Sequence, residues 1–70
     1  MTTASLEVNG KLESEIIGTI ADLLRRRGID PACRFLAVAV NGSVIKRSDW
    51  EHARLEPGDA VEIVAPRQGG

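Results

Sequence analysis

Cysteine occurs once in this 70-residue chain, at Cys33, and histidine once, at His52. A lone thiol excludes an internal disulfide framework, and no cluster of Cys and His offers a structural metal site. No long apolar run exists. The longest, Phe35-Leu36-Ala37-Val38-Ala39-Val40, is far short of the roughly 20 residues of a membrane span. The start Met1-Thr2-Thr3-Ala4 has neither a basic region nor an apolar one, so it does not read as a secretion signal. Charge is balanced as well. A formal net charge of −1 provides no basic field for nucleic acid or anionic lipid. The glycines do not fall in either phosphate-binding order, G-x-G-x-x-G or G-x-x-x-x-G-K-[ST]. What remains is a small cytoplasmic protein, 43% hydrophobic and 27% charged, with room for one domain and a thin core.

Periodicity divides the chain into short elements. Leu6 and Val8 alternate with Ser5 and Glu7, as in a half-buried strand, and Asn9-Gly10 suits a type I′ turn into a strand beginning near Leu12. Ile16, Ile20, Leu23 and Leu24 share one face of a helix predicted over about residues 20–27. Thr19 and Asp22 form a candidate capping box, Arg25-Arg26-Arg27 complements the helix dipole, and Gly28 suits the position after the C-cap. A second hairpin follows, with Phe35–Val40 leading through Asn41-Gly42 to Val44-Ile45. Ser48-Asp49-Trp50-Glu51 reads as one helical turn, Glu56-Pro57-Gly58-Asp59 as a β-turn, and 60–65 as a final strand.

Hairpin, helix, hairpin, helical turn and strand combine into a two-layer α+β arrangement. If the last strand inserts between the first and third, it runs parallel to the first. That arrangement is the ubiquitin-like β-grasp: a mixed four- to five-stranded sheet packed on one helix. The predicted domain covers residues 1–66, with residues 67–70 as a flexible C-terminal Gly-Gly tail.

Enzymatic machinery is missing from this pattern. His52 sits among charged neighbours and reads as a solvated imidazole. Cys33, in the loop after the helix, reads as a partly buried small hydrophobe, with a reactive thiol as the alternative. Neither has the partner set of a nucleophilic mechanism. The three arginines read as a solvated helix end rather than a phosphate clamp, and Trp50 as a lid on the core edge. Arg47 and Arg67 are either steering charges for an acidic partner site or ordinary solvated ones.

Strand alternation directs Leu36, Val38 and Val40 toward the helix and Phe35, Ala37 and Ala39 outward. Val64 and Pro66 extend that outer face, so Phe35, Ala37, Val64 and Pro66 form a candidate docking patch. The alternative leaves Phe35 turned inward or single on the surface. The last residues are Pro66-Arg67-Gln68-Gly69-Gly70. Two terminal glycines, lacking Cβ, can thread a narrow channel and deliver a carboxylate to a site on another protein.

Three elements give the chain a family resemblance. They are the Asn41-Gly42 hairpin with Arg47-Ser48-Asp49-Trp50 after it, the Leu55-Glu56-Pro57-Gly58-Asp59 turn before a valine/isoleucine strand, and the Gly69-Gly70 end. Together they resemble the thiamine-biosynthesis sulfur carrier family, ThiS, over nearly the whole chain. Lys46 stands where the family often has proline, and Arg67-Gln68 where it often has an apolar residue. The resemblance implies a protein co-substrate rather than an enzyme, with no bound cofactor. An E1-like enzyme would adenylate Gly70 with ATP, and the carboxyl would become a thiocarboxylate with sulfur from cysteine desulfurase chemistry. Thiazole synthase would then accept the sulfur. Gly69, Gln68 and Arg67 would carry Gly70 into the partner's active site. A molybdopterin synthase small subunit and a ubiquitin-like protein modifier remain as alternative readings.

Overall fold

The computed structural model describes residues 3–65. Five strands and one α-helix appear in the order β1 (Thr3–Val8), β2 (Lys11–Ile16), α1 (Ile20–Arg26), β3 (Ala37–Val40), β4 (Ser43–Val44) and β5 (Ala60–Val64). A 3-10 turn, Arg47–Asp49, follows β4. The sheet order is β2-β1-β5-β3-β4. β5 lies between the two hairpins, parallel to β1 and antiparallel to β3, as the β-grasp reading requires.

Both hairpins turn on an Asn-Gly pair with positive φ at both residues: 51° and 84° at Asn9-Gly10, 52° and 85° at Asn41-Gly42. That is the type I′ geometry whose twist matches the strands it joins. The two asparagines do more than turn the chain. β1 pairs with β5 over only Glu7↔Ala60 and Val8↔Val61. Beyond Val8 the ladder continues through Asn9, whose N–H donates to the Val61 carbonyl at 2.9 Å. The Asn9 side-chain Oδ1 then accepts from the Ile63 N–H at 2.7 Å. Across the strand, Asn41 N–H donates to the Ala60 carbonyl at 2.7 Å, and its Oδ1 accepts from the Ala60 N–H at 2.9 Å. β5 is thus held from both sides by turn asparagines.

Helix α1 begins with the expected capping box. Thr19 Oγ1 accepts from the Asp22 N–H, and Asp22 Oδ2 accepts from the Thr19 N–H, each at 3.1 Å. Two other first-turn donors find carbonyls outside the helix, Ile20 N–H on Ala53 and Ala21 N–H on Trp50, both at 3.0 Å. The donors a helix N-terminus leaves unpaired are therefore taken by the segment after the 3-10 turn. Gly18 is required by this cap, because a Cβ there would lie 2.7 Å from Asp22 Oδ2. The helix ends at Arg26 with Arg27 as C-cap, one residue before the expected end, and Gly28 follows at φ 78°.

The core is aliphatic apart from Trp50. Leu6 and Val8 from β1, Val38 from β3 and Val61 and Ile63 from β5 meet Ile20, Leu23 and Leu24 of the helix. Trp50 and Leu55 close one edge, with Trp50 only 3% exposed and its indole N–H donating to the Ile45 carbonyl at 3.0 Å. Trp50 is thus the lid expected from the sequence.

The three arginines at the helix end are not simply solvated. Arg25 pairs with Glu51, Arg26 donates to the Ile16 carbonyl at 2.6 Å, and Arg27 bridges Glu13 at 2.8 Å and Glu15 at 3.0 Å. Arg25 ties the helix end to the segment after the 3-10 turn, and Arg26 and Arg27 tie it to β2.

Asn9→Ala removes the acceptor for the Ile63 N–H and places a Cβ residue without a local polar partner in the left-handed region. We expect a loss of about 2 kcal/mol in urea unfolding, with Asn9→Gly recovering only the backbone part. The cap produces a pH signature. Hydrogen bonds from Thr19 hold the Asp22 carboxyl below its ordinary value of 3.8. Its contribution is complete above that value and is lost as pH falls through the lower folded-state one. Gly18→Ala, which displaces the carboxylate, is expected to lower the melting temperature at pH 7 and flatten the acid limb of a stability-versus-pH curve.

Candidate functional site

The geometry around the end of β5 follows from strand lengths. Val64 pairs with Ala37, the first residue of β3, and this is the last rung of that ladder. On the other side the β1 hairpin has already turned away at Asn9. Ala65 therefore leaves the sheet with no strand on either side. Pro66 of the candidate docking patch, the tail residues Arg67, Gln68 and Gly69, and Gly70, predicted to carry the chemistry, lie outside the described residues.

The sheet surface turned away from the helix has two characters. Ala37, Ala39, Val44 and Val64 make an apolar half, and Val44 and Val64 are 79% and 64% exposed. They line a shallow concavity of about 490 Å³ with Glu62 on its wall and Asn9 at one end. Toward β1 the face becomes polar, with Ser5 and Glu7 outward. Of the candidate docking residues, the structure brings Ala37 and Val64 side by side and leaves Phe35 exposed at the beginning of β3.

Phe35 reaches that position differently from the expectation. The apolar run predicted a strand from residue 35, but β3 begins at Ala37. Phe35 instead has φ 64°, in the left-handed region, and its side chain is 83% exposed. Its outward direction comes from this backbone reversal rather than strand alternation. Arg34 lies over its ring, 5.9 Å from the centroid.

Arg47 explains how the reversal is held, and sequence reasoning missed it. It is exposed, but its guanidinium is engaged rather than standing free in solvent. Its guanidinium donates to the Pro31 carbonyl, to Cys33 at 2.8 Å and to Leu36 at 3.3 Å, and stacks 4.7 Å from the Trp50 ring centroid. A planar fork suits several carbonyls at once in a way that an ammonium does not. The available signal was the spacing Arg47-x-x-Trp50, which places both side chains on one side of a tight helical turn.

The remaining candidates stay apart from this face. Cys33 packs its partly buried side chain against the core, and its thiol donates to the Arg34 carbonyl at 3.5 Å. His52 is exposed beyond the 3-10 turn. A second concavity, lined in part by Arg25 and Arg47, has both guanidinium groups already engaged. Among the described residues no group of three or more His, Cys, Asp or Glu could hold a metal ion, and no helix is long and apolar enough to cross a membrane. Perturbed acid–base groups gather at the helix. The Arg27 guanidinium holds the Glu13 carboxyl below its usual range, and Glu51 raises Arg25. Such pairs serve packing rather than proton transfer at the sheet surface.

The profile of the ThiS family matches residues 3–70. Among solved structures, the crystal structure of a thiamine biosynthesis protein (ThiS) from Geobacter metallireducens is similar at 29% identity and TM-score 0.77, covering 94% of this chain and 99% of that one. A solution structure of a thiamine biosynthesis protein from the same organism is similar at 28% identity and TM-score 0.73, covering 94% and 87% respectively. No curated protein matches.

The clasp has a measurable consequence. Arg47→Met leaves three carbonyls without their charged donor, and we expect a loss of about 2 kcal/mol in chemical unfolding. Faster amide exchange should be confined to residues 31–36, and Arg47→Lys should restore only part of the loss.

Proposed function

Because the chain belongs to the ThiS family, we propose that it is a sulfur carrier whose reactive group is the Gly70 carboxyl. The family match running through to Gly70 is the observation that carries this reading. The end of β5 supports it, since Ala65 departs beyond the last rung of the sheet. In this role the protein is a co-substrate, and catalytic residues belong to its partners.

The chemistry follows from the carboxylate. A carboxylate is a poor electrophile. Attack of the Gly70 oxygen on the α-phosphorus of ATP, in an E1-like enzyme, expels pyrophosphate and leaves an acyl-adenylate. The outer sulfur of a partner-enzyme persulfide, charged through cysteine desulfurase chemistry, then displaces AMP to give an acyl disulfide. Attack of a second thiol on the partner's inner sulfur releases the thiocarboxylate and leaves a disulfide on the partner. Thiazole synthase consumes that sulfur in building the thiazole of thiamine. ATP belongs to the activating enzyme, and the carrier holds no cofactor. Gly69, without a Cβ, lets the end enter a narrow channel, with Gln68 and Arg67 spanning the distance from the domain. Phe35, Ala37 and Val64, with Pro66, supply the docking patch next to the departing chain. A small rigid domain fits this role because it must engage one enzyme and release it for another.

Deleting Gly70 should leave the melting temperature of the domain within about 1 °C, because no core residue lies near it in sequence. The same deletion should abolish sulfur loading. Intact mass spectrometry after incubation with the activating enzyme, ATP and a sulfur source is expected to show one oxygen replaced by sulfur in the full chain. Thiocarboxylate on the deletion variant would overturn the assignment of Gly70, and lysine conjugates of higher mass would indicate a protein modifier instead.

A further inference from the structure

Two exposed features serve neither the core nor the sheet. The first is Phe35, a bulky aromatic in a backbone conformation that favours glycine, with φ 64° and a ring 83% exposed. Strained positions persist where the surroundings over-determine them, and they cluster at binding sites. Here Arg47 supplies the constraint. It holds the carbonyls of Pro31 and Cys33 before Phe35 and that of Leu36 after it. The clasp therefore spans the reversal and keeps an apolar ring in water beside the start of β3.

The second feature is charge. Glu13 and Glu15 pair with Arg27, and Glu51 pairs with Arg25. Glu62 stands exposed on the wall of the apolar concavity, and Glu7 is its diagonal neighbour across the β1–β5 pair. Neither forms an ion pair among the described residues. Two carboxylates on one face, beside an apolar surface, are complementary to a cationic partner.

We propose that Phe35 is the anchor and Glu62 the charge selector by which this carrier engages its adenylating enzyme, and that Arg47 is a positioning residue acting through Phe35. The complementary surface is an apolar cleft rimmed by lysine or arginine. An aromatic anchor desolvated at the centre of an interface dominates its affinity, whereas a rim charge sets selectivity and encounter rate. Phe35 lies near the Ala37–Val64 rung where the chain leaves the sheet, so anchoring there would direct the tail to the same partner. The proposal rests on the carrier reading above and adds to it the chemistry of the partner's surface.

The test is ATP–pyrophosphate exchange by the source organism's adenylating enzyme, measured against carrier concentration well below each variant's melting temperature. Phe35→Gly relieves the left-handed backbone, so it should melt at or above the wild-type temperature. Its KM should nevertheless rise at least tenfold with kcat within twofold. Arg47→Met should raise KM similarly, and the Phe35→Gly/Arg47→Met double variant should be no worse than the worse single one. The wild-type KM should rise with salt, and Glu62→Lys should raise KM and remove that dependence. KM values of Phe35→Gly and Glu62→Lys within twofold of wild type would overturn the proposal. Additive effects of Phe35→Gly and Arg47→Met would overturn the positioning role. A wild-type chain that supports no exchange would count against the carrier function itself, a different result from equal KM values across active variants.

Discussion

The parallel contact between β1 and β5 is the constraint on which the rest of the molecule depends. It joins the first and last strands, encloses Val61 and Ile63 in the core, and determines where the chain leaves the sheet. Two residue pairs are a short seam, and parallel pairing is slightly weaker per residue than antiparallel pairing. The seam is lengthened from the turns. Asn9 and Asn41 supply backbone and side-chain partners to Val61, Ile63 and Ala60 on either side of β5. An asparagine in the left-handed region can both shape a hairpin and continue a ladder, because its short amide reaches where another strand residue would otherwise be needed.

The opposite layer is organised by satisfaction of helix ends. A helix of seven residues has little stability alone. Its first-turn donors go to Thr19, Trp50 and Ala53, and its arginines go to Glu51, Ile16 and the acids of β2. The segment from Lys46 to Leu55, which contains little regular structure, therefore has a structural task at both of its faces. It caps the helix with backbone carbonyls on one side. On the other, Arg47 fastens the loop leading into β3 while lying on Trp50. Much of the polar work of the small domain is done here, away from the apolar half of the sheet's outer face.

That division of labour matches a carrier. Buried groups hold the domain together, and the exposed face retains apolar side chains and two carboxylates outside the ion-pair network of the helix. In the proposed role the chemistry rests with a terminal carboxyl, which requires neither paired acids nor a metal from this chain. A thin core suffices for such a protein because no cavity need be cut into it.

Much of the fold was legible from residues with strong local preferences. Both Asn-Gly turns, the Thr19–Asp22 cap, the Glu56–Asp59 turn and the alternation in β1 and β5 fall where local chemistry places them, since each depends on neighbours within a few positions. Local preference failed at Phe35, where an apolar run suggested strand but the chain reverses under the hold of Arg47, a residue 12 positions away. It failed again at Arg25, Arg26 and Arg27, whose partners lie on β2 and on the segment after the 3-10 turn. The sequence by itself determined most of the elements and the turn chemistry. Only the tertiary structure decided which charges were engaged, which aromatic was exposed and where β5 released the chain, because those outcomes depend on contacts between distant segments.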